Sequence, residues 1–274
     1  MEARLGMLHE RAVADAPVEQ ARPRYACVLT FHRVVSVCEK DHDITWDAFY
    51  RVLDEIARSG RSVDSELVFG PAAAGSAAIL TFDDGTADHL RVAEVLAARG
   101  MSGIFFIPAV TMGMCGRLTA GEVRALRALG HCVGSHGLTD APIGAAADDV
   151  LRRELGESRA ILEDRVGGQV VYFAPPGGRL SARARRALPG FGYLASRSMR
   201  WGICGAHEDR FSIPCIPVTE YTLARGWVSR AVVAGRVPAS MRSASVVRRI
   251  IPDAIHTRVR RMLHAPFLAR DRAR

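Results

Sequence analysis

Two carboxylates stand side by side, Asp83 and Asp84, at the end of the apolar run Ala77 to Phe82, and Gly85 lets the chain turn away from them. Neighbouring side chains on an extended backbone point to opposite sides, so one of the pair can hold a metal ion while the other moves a proton. A second polar cluster, Gly134-Ser135-His136-Gly137-Leu138-Thr139-Asp140, follows another short apolar run. His136 and Asp140 are four residues apart, and on a helical turn that spacing puts an imidazole and a carboxylate on one face. With Asp84 they offer one nitrogen and two oxygen ligands, enough for a catalytic metal that keeps a position open for water. The third cluster is the turn Phe173-Ala174-Pro175-Pro176-Gly177-Gly178-Arg179, where Gly177 lets a substrate come close and would present a backbone N–H to a developing oxyanion. Taken singly, each has an ordinary explanation: an Asp-Asp-Gly turn, a buried hydrogen-bonded histidine, a Pro/Gly loop. Only their combination suggests a site.

The elements around them alternate. Apolar runs at 25–35, 77–82, 103–109, 131–135, 169–173, 193–196 and 211–218 read as strands, and amphipathic stretches at 45–59, 90–99, 120–129, 148–166 and 181–188 read as helices. Strands and helices joined by short connections predict a parallel α/β architecture, in which chemistry sits at the carboxyl ends of strands. All three polar clusters fall there. The economical division is a leader over 1–24, one domain over 25–235 and a basic tail over 236–274.

The chain has 274 residues, 49% of them hydrophobic and 24% charged, which excludes a disordered or fibrous protein and permits one full-sized core. Its net charge of +8 is unevenly placed: residues 221–274 hold 12 arginines against Asp253 and Asp271, a net of +10, leaving 25 basic and 27 acidic groups before them. Lys40 is the only lysine, so the arginine excess reads as a bias of the whole chain, and no nucleic-acid partner is expected. Cys27, Cys38, Cys115, Cys132, Cys204 and Cys215 form no Cys-x-x-Cys pair and suit small buried or half-buried thiols in a reducing compartment. The first 25 residues contain no apolar h-region, and no run reaches the ~18 apolar residues of a membrane span. A cytoplasmic protein is expected.

The order and spacing of these segments resemble the polysaccharide deacetylase family, the NodB-homology or carbohydrate esterase family 4 group, over most of residues 25–220. The similarity lies in Phe31-His32-Arg33-Val34, TFDDGTADH, GIFFIPA, GHCVGSHGLTDAP and FAPPGG. It implies a distorted (β/α) barrel of about seven strands, here with a basic C-terminal helical extension. The implied activity is metal-dependent hydrolysis of an N-acetyl or related acyl group, usually from an amino sugar. Residue by residue, Asp83 falls at the general base, Asp84 at the first metal ligand and His136 at the second. The third ligand, a histidine in the family, is Asp140 here. The implied cofactor is a divalent cation, Zn²⁺ first with Co²⁺ or Ni²⁺ as alternatives, and a carboxylate at 140 is expected to weaken the zinc preference. The arginine of the family's turn is Ala174, which removes a charge partner expected to hold Asp83 ionised. Pro176 and Gly178 fit that turn, and Gly177 takes the oxyanion position. The family's final Leu-x-His, source of the general acid, has no match after Cys215, leaving His32 and His207 as stand-ins. Pro176 and His32 are also expected to line the substrate site.

From Ser245 to Phe267, apolar residues recur at roughly helical spacing with arginines between them. Such a helix can lie on an anionic membrane surface, which would bring the protein to the inner membrane face and suit a lipid-linked sugar; packing the stripe on the barrel is the commoner use of the pattern. The expected substrate is an N-acetylated sugar, glycolipid or glycoside in a biosynthetic pathway. Two rivals stand beside it: a catalytically weakened homologue that binds a glycan or partner, and a related hydrolase of non-sugar C–N amide bonds.

Overall fold

The computed structural model describes residues 25–63, 77–144, 146–205 and 208–241. The leader 1–24, His207 and nearly all of the basic tail lie outside them. Among the described residues, seven parallel strands close into a barrel: β1 (Tyr25–Phe31), β2 (Ala77–Phe82), β3 (Gly103–Ile107), β4 (Cys132–Ser135), β5 (Tyr172–Phe173), β6 (Ala195–Trp201) and β7 (Ile213–Pro217). They pair in the order β1-β7-β6-β5-β4-β3-β2, and β2 returns to β1 with Ala26 opposite Ala77 through Phe31 opposite Phe82. This is the expected (β/α) barrel.

Helices α1 (Trp46–Arg58), α2 (His89–Ala98), α3 (Ala120–Ala128), α4 (Asp148–Arg152), α5 (Ser158–Val166), α6 (Ala182–Ala187), α7 (Glu220–Ala224) and α8 (Trp227–Ala234) accompany these strands, and the short strands Ser62–Val63 and Cys204–Gly205 pair with β2 and β1. Thr45 caps α1 by accepting the Ala48 N–H at 3.2 Å, and Thr119 and Glu122 form a reciprocal box at the start of α3. Phe49, Val52, Leu53 and Ile56 give α1 its buried stripe. The outer core between strands and helices continues through Val237 and Met241. No described helix is long and apolar enough to cross a membrane.

Alternation along the strands makes a second, smaller core inside the barrel. Ala26, Val28, Ile79, Ile104, Phe106, Tyr172, Ala174, Ala195, Ile213 and Cys215 fill it. Gly134 is required there, because a Cβ would sit 2.5 Å from the Phe106 ring. Above this plug the inward positions turn polar: Thr30 and Thr81 hydroxyls lie 3.1 Å apart, and the next inward residues are Asp83 and Arg197.

Three expected elements end elsewhere. The run 25–35 is a barrel strand to Phe31 followed by Val34–Val35, which pairs with Ile44–Thr45. The run 193–196 lengthens into β6, Ala195–Trp201. The helix expected over 148–166 carries a π turn at Arg153–Glu157. That turn has a use: it places buried Glu154 so that Oε2 accepts the Leu138 N–H at 2.6 Å and the Thr139 N–H at 3.4 Å, while Oε1 accepts the Thr139 hydroxyl at 2.6 Å. Single π turns inside α-helices recur at functional sites. This one clamps the segment carrying His136 and Asp140.

His131 closes the lower end of β4. Its Nδ1 accepts the Gly103 N–H at 3.2 Å, so Nε2 carries the proton and donates to the Ala93 carbonyl at 2.9 Å. Burial pushes its pKa below the usual 6.5 despite the bond to Ala93.

Two outcomes are expected. Glu154→Ala strands donors around residues 138–139 and should lower the unfolding free energy by roughly 3 kcal/mol in urea titration, with Glu154→Gln intermediate. A protein folded with a neutral His131 loses stability as pH falls below 6.5, because the unfolded chain then takes up the proton more readily, at up to about 1.4 kcal/mol per pH unit. The gap in urea midpoint between wild type and His131→Asn should therefore narrow from pH 8 to pH 5; a constant gap contradicts this assignment.

Candidate active site

Asp83 ends the inward column of β2 at only 3% exposure. A carboxylate so buried needs a partner, and it has one: Arg197 Nη2 donates to Asp83 Oδ2 at 2.5 Å. Arg197 is itself 4% exposed and lies 5.5 Å above the Phe106 ring. Burial works to lower the guanidinium pKa, but the charges of Asp83 and Cys215 outweigh it and the net direction is upward. Since Phe173 pairs with Ser196, the next position on β6 lies beside Ala174. The guanidinium missing at 174 is thus supplied from the adjacent strand. The expectation that Asp83 lacks a charge partner is corrected.

His32 leaves the end of β1 with Nε2 at 3.9 Å from the same Asp83 oxygen. The buried His89 supports it from below, placing Nε2 at 2.6 Å from the His32 carbonyl, and its ring packs between Phe82 and Phe105. Asp88 accepts the Val34 N–H at 2.8 Å and fixes the following turn. Asp83 Oδ1 is buried and makes no hydrogen bond among the described residues.

Asp84, His136 and Asp140 each offer one ligand atom, and these atoms lie within 4.8 Å of one another. His136 Nε2 is 3.5 Å from Asp84 Oδ1 and 3.8 Å from Asp140 Oδ1. Donors on a tetrahedral cation at about 2.0–2.2 Å are separated by roughly 3.3–3.6 Å, so the set fits a divalent ion with small adjustments. Two expectations about how it forms need correction. Asp84 is not extended: its φ of 75° is left-handed, and that turn separates its side chain from that of Asp83. Residues 136–140 make no helical turn; Gly137 at φ 78° and Asp140 at φ 67° fold the loop, which Glu154 holds. Asp84 and Asp140 are the only non-glycine residues with positive φ among those described, a conformation that costs roughly 1–3 kcal/mol and clusters at functional sites.

The electrostatics suit a cation. Burial pushes the Asp84 carboxyl up, but the His136 hydrogen bond and the charges of His32, His136 and Arg117 hold it well below the usual carboxylate range. Burial and the Asp84 charge push Asp140 up. His136 is raised, the hydrogen bond and charges of its three carboxylate neighbours overcoming its burial. These ligands must lose their protons to bind.

The Pro/Gly turn borders this group. Pro176 is buried against Gly137, where a Cβ would come 3.3 Å from Pro176 Cγ and 2.8 Å from Glu154 Oε2. Gly177 is exposed with φ 66° and faces Pro142. Of the sequence-predicted residues, Asp83, Asp84, His32, His136, Asp140 and Pro176 are joined by these contacts, and Gly177 follows directly on Pro176. Sequence reasoning missed Arg197, Glu154 and Arg117. Arg117 hydrogen-bonds to the Asp84 carbonyl and, at 3.2 Å, to Asp140 Oδ2. The thiols are mostly buried or half-buried as expected, but Cys115 is exposed.

Solved structures share this fold. A Streptococcus pyogenes deacetylase, PplD, in complex with acetate superposes with a TM-score of 0.67 at 18% identity, covering 72% of this chain and 93% of its own. IcaB from Ammonifex degensii gives 0.65 at 20%, covering 78% and 99%, and the polysaccharide deacetylase BC0361 from Bacillus cereus gives 0.65 at 17%, covering 73% and 68%. No curated protein matches the chain. The sequence profile described as polysaccharide deacetylase matches residues 71–196. That segment carries Asp83, Asp84, His136, Asp140 and the Pro/Gly turn, while His32 and Arg197 lie outside it. Just under half of the chain thus matches the polysaccharide deacetylase family, and the barrel that displays that segment has the fold of solved deacetylases.

Proposed function

We propose that the protein is a metal-dependent carbohydrate deacetylase that hydrolyses an N-acetyl or related N-acyl group on an amino sugar or sugar conjugate in a biosynthetic pathway. The observation that carries this reading is the joining, at one barrel mouth, of a buried ion pair, Asp83 with Arg197, to the ligand set Asp84, His136 and Asp140. A divalent cation in that set, Zn²⁺ first and Co²⁺ or Ni²⁺ as alternatives, would supply Lewis acidity toward the acyl oxygen and a more acidic water.

The chain's own groups divide the remaining work. Arg197 occupies Asp83 Oδ2 and leaves Oδ1 to take the proton of the attacking water. His32, beside the same carboxylate, is placed to hand a proton to the departing amine. The N–H of Gly177 steadies the tetrahedral oxyanion, and Pro176 with His32 walls the sugar pocket. Of the three departures from the family pattern, Arg197 answers Ala174, Asp140 remains in the ligand set, and His32 replaces the absent final histidine. That balance favours an enzyme over a weakened binding homologue. A lipid-linked sugar at the cytoplasmic membrane face would suit the basic extension 236–274.

Purified protein loaded with Zn²⁺, Co²⁺ or Ni²⁺ should release acetate from N-acetylhexosamine conjugates. No acetate from a demonstrably metal-loaded protein overturns the sugar reading and leaves another amide hydrolase. Arg197→Met should lower kcat/KM by roughly 10²- to 10³-fold with metal content unchanged, whereas Asp84→Ala and His136→Ala should lose the metal itself.

A further inference from the structure

Arg117 belongs to neither the Asp83–Arg197 ion pair nor the ligand set, yet it touches two of the ligand residues, Asp84 at its main-chain carbonyl and Asp140 at its carboxylate. Its residue forms a bridge with Thr86, and Ala87 N–H to Gly116 O at 3.0 Å and Leu118 N–H to Gly85 O at 2.9 Å tie the two segments on either side. So anchored, the guanidinium reaches the Asp84 carbonyl with Nη1 and Asp140 Oδ2 with Nη2. The other Asp140 oxygen, Oδ1, is the one that faces His136. One carboxylate is therefore split between two tasks, one oxygen to the arginine and one to the ligand cluster.

The chemistry explains why such a split is useful. Two carboxylates and an imidazole would fully neutralise a divalent cation and blunt it as a Lewis acid, and a free carboxylate can swing to bind through both oxygens and fill the position water needs. A guanidinium on Oδ2 opposes both effects: it offsets one negative charge and leaves Asp140 a single oxygen to give.

We propose that Arg117 is a built-in counter-charge of the metal centre, a positioning residue that keeps an Asp-His-Asp ligand set monodentate at residue 140 and only partly charge-neutralising. The proposal rests on the reading that Asp84, His136 and Asp140 bind a divalent cation. It makes residues 117 and 140 interdependent. With a neutral ligand at 140 the arginine has nothing to offset and only repels the ion.

The test is a double-mutant cycle on the affinity of the full-length protein for Zn²⁺ and Co²⁺ alone, measured by competition with a chromophoric chelator. Histidine tolerates the left-handed backbone at 140 comparatively well, so Asp140→His is usable there. Arg117→Met should bind metal more tightly than wild type, and Arg117→Lys, which keeps the charge, should not. Asp140→His should gain little zinc affinity while Arg117 remains, because the guanidinium then only repels the ion, and adding Arg117→Met to it should tighten binding by a larger factor than the same change does beside Asp140. Additive effects, or weaker binding in Arg117→Met alone, overturn the counter-charge role while leaving the metal site standing. Wild-type protein that binds neither ion overturns the metal reading and this proposal together.

Discussion

A closed barrel whose inner face is packed with Val, Ile, Phe and Tyr has no solvent to offer a charge, and Asp83 sits directly above that plug. The requirement that this carboxylate be compensated organises the mouth. Arg197 meets it from β6, and the arginine in turn rests on Phe106, whose place inside the barrel depends on the absence of a side chain at Gly134. The direction of Asp83 is thereby fixed by strands on opposite sides of the barrel rather than by its own loop. Only its second oxygen has no hydrogen-bond partner among the described residues.

Around this fixed point the other groups are placed by backbone as well as by the attraction of His136 for its carboxylate neighbours. Three groups that would otherwise repel or neutralise one another, Asp84, His136 and Asp140, converge because two left-handed aspartates and Gly137 fold their loops inward. Glu154 anchors one loop and the Thr86–Arg117 bridge the other. The energy stored in those conformations comes from the surrounding packing, chiefly the π turn that delivers Glu154 and the strand ends that carry the loops. The barrel thus acts as the rigid support for a mouth that would not assemble by itself.

The sequence disclosed the barrel and most of its mouth because the strands are apolar runs and the chemistry follows them at their ends. TFDDG and GSHGLTD stand out for that reason. Arg197 was hidden for the opposite reason: Ser196-Arg197-Ser198-Met199-Arg200 alternates polar residues along a strand whose inward positions are the site, so the hydrophobic pattern stops at Ser196 just as the strand continues. Glu154 falls inside the amphipathic stretch 148–166 with nothing to single it out, since a π turn leaves no mark in hydrophobic periodicity. Arg117 sits in the loop 110–117, which has neither period nor motif, and only the pairing of Thr86 with Arg117 brings it near Asp140. What escaped notice were compensating partners, whose role is defined by a neighbour distant in sequence.

The left-handed backbone at 84 and 140 also limits the alphabet from which those ligands can be drawn. Outside glycine, residues that enter this region readily are aspartate, asparagine and histidine. Glutamate and cysteine, common metal ligands elsewhere, would meet strain before their chemistry mattered. Replacement by alanine likewise removes a ligand and imposes a backbone penalty together, while asparagine removes the charge and keeps the turn. The main chain has therefore filtered the metal chemistry available to this centre before any ion arrives.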